Sequence, residues 1–451
     1  MRYGRCLLVI AAGLYGCGDD DVATVDADPT IDAANSVDAD GDLAAWLVTF
    51  DLASSETIRG LASIDDGIVA VGGVSTVSAS RDLRVFKIDN NGNPVWETSL
   101  GGNGWDEAHA VLARPDGFTV VGQTGSFGTG AWIVNITLGG GVTDQWVVTR
   151  SENCAANSGI AIGDDTIFAG WARTAANSND MWIGRVSSLG TLMWTRQLGG
   201  TASDRANGVS RDALGPVIVG QTQSFGAGSI DFWVAAYSDS GTLRWQKTYG
   251  EAGLDRGTAI AGGVDGNGVL VVGHTRSFGA GDHEVLLIRL DVDGNIRWQK
   301  RYGGTGDDIA EAVTAVADGY VVAGRTKSFG GGADTDILLF KVDTDGVLQW
   351  QKRAGFMDVY DSASGVVEVT GGLALGGYTS GTNADWLVAK LDAAGNDPVA
   401  CSHFSEMTLV EQVTTAIAAD STASSVSSGA TLAASDAVVN NPISTNERVC
   451  E

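Results

Sequence analysis

Residues 291–303 read DVDGNIRWQKRYG, a turn of Asp, Gly and Asn running into a short strand with tryptophan near its centre. Variants of this stretch recur along the chain and place Trp46, Trp96, Trp146, Trp194, Trp245, Trp298 and Trp350 at intervals of 50, 50, 48, 51, 53 and 52 residues. A length of 451 residues would ordinarily suggest two or three domains. A fixed internal period takes precedence, because a repeat fold escapes that length rule.

The repeating unit is clearest between Asp308 and Trp350. An acid opens a strand of alternating small residues, Asp308, Ala310 and Ala312; the turn Asp318-Gly319 leads to an apolar strand, Tyr320 to Gly324. A Thr-x-Ser-Phe-Gly turn at 326 to 330 precedes a second apolar strand, Ile337 to Val342, and the turn Asp343 to Gly346 opens the tryptophan strand. Four short strands joined by Gly and Asp turns predict one antiparallel sheet, and a period near fifty lies in the range of propeller blades. Unit starts fall at Glu56, Asp106, Asn157, Asp204, Asp255, Asp308 and Asp361, which makes seven. The seventh unit has Val399 where its tryptophan is due, while Trp46 precedes the first unit with no strands of its own. The economical solution is an all-β, seven-bladed propeller over residues 41–404, in which the N-terminal strand around Trp46 completes the last four-stranded blade and leaves no open edge between the chain ends.

Composition agrees. Sixty-three glycines against six prolines suit many tight turns, and 44% apolar content supplies a large core. A formal charge of −27 argues against nucleic acid and makes anionic surfaces poor partners, leaving cations and basic partners open.

The N-terminus reads as an export signal, with Arg2 and Arg5 before the apolar run Leu7 to Tyr15, too short to span a bilayer comfortably. Leu14-Tyr15-Gly16-Cys17 resembles the end of a bacterial lipoprotein signal, although Tyr15 stands where a small or aliphatic residue is usual. The resemblance implies a signal peptide over 1–16, lipidation of Cys17 and an exported protein anchored in the bacterial cell envelope, at the periplasmic or surface face of the outer membrane. Residues 17–40 are acidic and poor in large apolar groups, the composition of a flexible tether. In an oxidising compartment Cys401 and Cys450, which flank the Ser/Thr/Ala-rich tail 405–451, are expected to form a disulfide, leaving Cys154 as an unpaired buried thiol. The tail should place a strand or two on the ring.

The turn-plus-tryptophan pattern of Asp343, Gly346 and Trp350 is similar to the tryptophan-docking motif of quinoprotein-type propellers. LRWQKTYG at 243–250 and IRWQKRYGG at 296–304, with the Ser-Phe-Gly turns, resemble the propeller-repeat lipoproteins of bacteria and archaea. The resemblance covers about 41–404 and implies the fold; it assigns no activity, since propellers host many functions. Seven units depart from the eight blades usual among quinoproteins.

The acids opening the innermost strands, Glu56, Asp106, Asp204, Asp255, Asp308 and Asp361, together with Asn157, should lie round one mouth of the central channel. They would share that face with the Ser-Phe-Gly turns at 126–128, 224–226, 277–279 and 328–330. Their oxygens could hold a hard cation such as calcium; alternatively each accepts backbone hydrogen bonds in its own turn. Small residues beside them, such as Ala108 with Ala110 and Gly257 with Ala259, fit close packing near the axis. The intervening Glu107, His109, Arg205, Asn207, Arg256, Thr258 and Glu311 differ from blade to blade, which is where a ligand-specific surface would be written. Asp291-x-Asp293-Gly294 has the start of a calcium loop but no glutamate at its twelfth position, and reads as a hairpin turn. The Gln-Lys pairs after Trp245, Trp298 and Trp350 should protect an exposed sheet edge. Trp132, Trp182, Trp233 and Trp386 belong to third strands and the core; Trp105 is the indole expected to be exposed, and Trp171 could be either.

No Gly-x-Ser-x-Gly elbow, His-Glu-x-x-His helix, P-loop or Cys-x-x-Cys pair is present, and His109, His274, His283 and His403 lack metal-ligand spacing. The sequence therefore points to a binding scaffold for protein or polysaccharide, with no catalytic residues and no cofactor beyond a calcium ion at the channel mouth. The alternatives are a propeller enzyme with its site in the channel, quinoprotein-like or acting on polysaccharide, and an outer-membrane assembly factor.

Overall fold

In a computed structural model the chain forms seven antiparallel sheets set round one axis. The structure describes residues 30–32, 45–50, 56–75, 80–176, 178–278, 282–329, 334–355, 360–380 and 384–396, and in the C-terminal region 404–407, 410–413, 417–420, 426–427, 431–434 and 438–440. The proposed signal peptide, Cys17, Cys401 and Cys450 lie outside the described residues.

The sixth blade shows how the repeat folds. Asp308–Val316, Gly319–Thr326, Asp336–Asp343 and Leu348–Ala354 pair in chain order, each antiparallel to the last. The second and third strands are apolar on both faces, because each blade is sandwiched between two others. Tyr320, Val322, Leu338 and Phe340 pack on Leu270, Val272 and Leu287 of the fifth blade, whereas Val321, Ala323 and Leu339 pack on Leu373, Leu375 and Leu387 of the seventh. Each valine, leucine or phenylalanine among them, fully buried, contributes about 1.5–3 kcal/mol of transfer free energy.

The ring closes through the early tryptophan strand. Trp46–Phe50 pairs antiparallel with Ala384–Leu391, Trp46 opposite Lys390, and completes the seventh blade begun by Tyr360–Val369. The protein is a seven-bladed β-propeller.

The tryptophans dock blade to blade. The positive-φ glycine in the turn after each third strand is pressed against the indole of the preceding blade: Gly92 on Trp46, Gly140 on Trp96, Gly190 on Trp146, Gly241 on Trp194, Gly294 on Trp245, Gly346 on Trp298 and Gly395 on Trp350. Five of these indoles donate Nε1–H to a carbonyl in the same turn, as Trp46 does to Asn90 at 2.9 Å and Trp298 to Thr344 at 2.9 Å. The turn acids are consumed locally: Asp291 accepts the amides of Asp293 at 2.9 Å and Asn295 at 2.8 Å, and Asp343 those of Asp345 and Val347. Among the described residues no cluster of His, Cys, Asp and Glu could hold a metal ion.

The tryptophan strands are not the sheet edges. Short tail strands add a fifth strand to one blade after another, running backwards round the ring: 404–406 on the sixth blade, 410–413 on the fifth, 417–420 on the fourth, 426–427 on the third, 431–434 on the second and 438–440 on the first. Thr30–Asp32, within the stretch expected to be tether, does the same for the seventh blade. The tail therefore does more than the expected strand or two, because every outer strand offers a row of backbone donors and acceptors that another strand can satisfy. The Gln-Lys pairs take other roles accordingly: Gln299 and Lys352 are buried, and Lys300 Nζ reaches the Gly346 carbonyl of the next blade at 2.9 Å.

Candidate functional site

The acids that open the innermost strands do not form an open ring of oxygens. Asp106, Asp204, Asp255, Asp308 and Asp361 are fully buried. In the second blade Asp106 Oδ1 accepts the Thr124 hydroxyl and Oδ2 the Ser126 hydroxyl, both at 2.5 Å. Asp204 is held likewise by Thr222 and Ser224, Asp255 by Thr275 and Ser277, and Asp308 by Thr326 and Ser328. The Thr-x-Ser-Phe-Gly turn is thus a clamp on a buried carboxylate. Its phenylalanine seals the outside: Phe127 packs on Trp132 at 5.4 Å and Phe225 on Trp233 at 5.3 Å.

The third blade lacks this set. Register places Cys154, not Asn157, at the acid position, with Ala172 opposite where the blades that carry aspartate have threonine. The three-residue offset is hidden in the sequence because a cysteine stands where the other blades carry an acid. Cys154 is a buried free thiol whose pKa burial pushes up to about 11, so it behaves as an apolar filler. Of Glu56, register says that it stands opposite Val74.

Asn157 belongs to a different series. Every innermost strand carries one extra residue, a β-bulge, at Arg59, His109, Asn157, Asn207, Thr258, Glu311 and Ser364. A bulge leaves its residue out of the ladder and re-aims its side chain. All seven line one axial cavity of about 450 Å³. Four of them clasp the next blade: Asn157 to the Ala206 carbonyl at 2.8 Å, Asn207 to Gly257 at 2.7 Å, Thr258 to Ala310 at 2.7 Å and Ser364 to Ile58 at 2.5 Å. The remaining three, Arg59, His109 and Glu311, are ionisable.

Nearer the Ser-Phe-Gly mouth lie Arg205, Gln221, Arg256, His274 and Arg325. The cavity thus collects four arginines and two histidines against one lining glutamate, in a chain whose overall charge is −27. Two of the arginines are answered. Arg59 Nε meets Glu107 Oε1 at 3.1 Å, and Arg325 pairs with Glu311. Against burial, which raises it, His109, Arg59 and Arg81 hold the Glu107 carboxyl below the usual range. The other two have no carboxylate among the described residues. Arg205 lies over the Trp171 ring at 5.5 Å, and the Asn179 amide oxygen, turned towards it, accepts from its Nη2 at 2.9 Å. Arg256 keeps a buried Nε without a partner, and burial together with neighbouring Arg205 lowers its pKa.

His274, paired across the strands with Arg256, is buried, and its Nδ1 lacks a partner. Burial, then His283 and three arginines beginning with Arg256, push its pKa down to about 3. Burial likewise takes His109 to about 4. Both rings are therefore neutral at pH 7 and add no charge. His283 lies 4.9 Å from His274 and holds Asp307 Oδ1 at 2.9 Å through Nδ1. Trp105 is 52% exposed, under the Arg81 guanidinium and bonded to Glu107, while Trp171 is half-buried.

Of the residues singled out by their variation, His109, Arg205, Asn207, Arg256, Thr258 and Glu311 meet in the channel, whereas Glu107 lies behind it. Sequence reading missed Arg59, Ser364 and the second-strand set Gln221, His274 and Arg325. That set had a signal: Gly220-Gln221-Thr222, Gly273-His274-Thr275 and Gly324-Arg325-Thr326 hold one variable residue between two constant ones.

No protein-family model matches the sequence, and no curated protein matches it. Among solved structures the chain is similar to Sqt1 from Chaetomium thermophilum, at 12% identity over 79% of this chain and 87% of that one with a TM-score of 0.45, and to a second crystal structure of the same protein at a TM-score of 0.46. It is also similar to a subtype N10 neuraminidase-like protein of A/little yellow-shouldered bat/Guatemala/060/2010, at 10% identity over 76% of this chain and 97% of that one, TM-score 0.36. At these identities the likeness concerns the fold alone.

Proposed function

We propose that the protein is a lipid-anchored, extracytoplasmic binding scaffold that takes an anionic group of its protein or polysaccharide ligand into the axial channel. The observation that carries this reading is Arg205 and Arg256, two channel arginines with no carboxylate partner among the described residues of a strongly acidic protein. Arg256, half-buried with its Nε unpartnered, is costly to leave without an anion, while Arg205, exposed to solvent, adds its charge to the field that meets an incoming ligand. Net charge had pointed away from anionic partners, but a cleft lined by one sign of charge sets its own local field.

The anchor rests on Arg2, Arg5 and the Leu14–Cys17 stretch, together with the resemblance to propeller-repeat lipoproteins. Thr30–Asp32 already belongs to the seventh sheet, so the twelve residues 18–29 separate Cys17 from the ring, a reach of at most about 45 Å. The ring is then held near the membrane surface. Ligand binding to the folded state raises apparent stability, so melting the chain with acidic and with neutral oligosaccharides and peptides tests the reading. Anionic compounds should raise the melting temperature of the wild type and not of Arg256→Ala. Stabilisation by neutral compounds alone would remove it.

A channel enzyme is the second reading, carried by the Asp307–His283 pair beside His274. A hydrolase or lyase screen in which turnover is lost on His283→Ala would favour it over the scaffold.

A further inference from the structure

We infer that the channel sector formed by the fourth, fifth and sixth blades binds a tetrahedral dianion, a phosphomonoester group, and this rests on the anion-binding reading above. Charge is the first reason. Arg205 and Arg256 bring two positive charges that no described carboxylate offsets, while Arg325 is spoken for by Glu311. A phosphomonoester carries about −1.5 to −2 at neutral pH and matches that surplus, which a single carboxylate would half fill.

The directions of the donors are the second reason. One bidentate guanidinium satisfies a planar carboxylate. Here polar groups arrive from successive blades: Arg205 and Gln221 from the fourth, Arg256 and His274 from the fifth, Arg325 from the sixth. Three terminal oxygens pointing apart can use such a set; two coplanar oxygens cannot.

His274 supplies the third. The residue is 6% exposed, and its buried Nδ1 without a partner belongs to a side chain lining the cavity. The groups bearing on it are Arg256, Arg276, Arg325 and His283, all basic, so a neutral His274 is a polar group there that can accept a hydrogen bond from the O–H of a singly protonated phosphate or, in its other tautomer, donate one. A cavity of about 450 Å³ has room for the phosphate together with part of the group that bears it, since ligand sites run from about 300 to 1,000 Å³.

Titrating the full chain by calorimetry and by tryptophan fluorescence with inorganic phosphate, glucose 6-phosphate, glucuronate and glucose decides the matter. Glucose 6-phosphate should bind, inorganic phosphate more weakly, and Arg256→Ala should lower affinity at least tenfold while Arg256→Lys keeps part of it. Arg297→Ala, on an outer strand, serves as the control that leaves binding unchanged, and circular dichroism melts verify that each variant folds. Glucuronate binding without either phosphate would overturn the phosphomonoester inference and leave the anion-binding channel standing. Binding of none of the anions would remove both. Phosphate binding indifferent to Arg256→Ala would place the ion elsewhere and overturn the inference.

Discussion

Replacing Asp308 by alanine removes the acceptor at the centre of one blade's clamp. The carboxylate receives the Thr326 hydroxyl, the Ser328 hydroxyl at 2.5 Å and the Gly304 amide at 2.8 Å. Hydrogen bonds to a charged group contribute about 1.5–3 kcal/mol each. Part of that is offset in the folded state, because burial pushes the Asp308 carboxyl above its ordinary pKa and losing the charge relieves that cost. The Thr326 hydroxyl, fully buried, also loses its acceptor, a penalty of about 1–3 kcal/mol. Asp308→Ala should therefore destabilise by about 3–5 kcal/mol. Thr326→Ala alone should cost about 1.5–3 kcal/mol, and less than about 1 kcal/mol more once Asp308 is gone. The third blade, with Cys154 opposite Ala172, is the natural counterpart of that double replacement. Urea unfolding followed by tryptophan fluorescence measures all four corners of the cycle. Additive effects within about 0.5 kcal/mol, or a loss below about 1 kcal/mol for Asp308→Ala, would refute the clamp.

Gly346→Ala sets a Cβ at φ +74° and 2.9 Å from the Trp298 ring, so a loss of about 2–4 kcal/mol and a shifted fluorescence maximum are expected; wild-type unfolding would contradict the docking account. Burial pushes Asp231 up to about 6, so the folded chain keeps this proton after the unfolded chain has released it, and the residue's contribution to stability falls as pH rises from about 4 to 6. Asp231→Asn, neutral throughout, should therefore gain on the wild type between pH 4 and pH 7 by up to about 3 kcal/mol in parallel melts; a pH-independent difference would rule this out. Ending the chain after His403 uncovers the outer strands of six blades, and light scattering should show association while hydrogen exchange speeds up in those strands. A monomer with unchanged exchange would show that the tail strands do not hold the edges.

Architecture was legible because it is written in periodic local chemistry. A turn needs its glycine and its acid, and a blade needs two strands apolar on both faces, so each repeat declares itself. The absence of tryptophan near Val399 and its stray copy at Trp46 then required ring closure. The same periodicity misleads at Asn157, which lies three places beyond the acid position that Cys154 occupies. What only tertiary structure decided is what the repeat does not constrain: the bulge that turns one residue per blade into the channel, the meeting of Arg205, Arg256, His274 and Arg325 across three blades, and the belt of tail strands. These depend on contacts between segments some fifty residues apart or more, and a linear pattern records which residues vary without recording which of them face one another. DVDGNIRWQKRYG accordingly specified a turn, a docking tryptophan and a strand, while the sign of charge inside the ring came from folding seven such units about one axis.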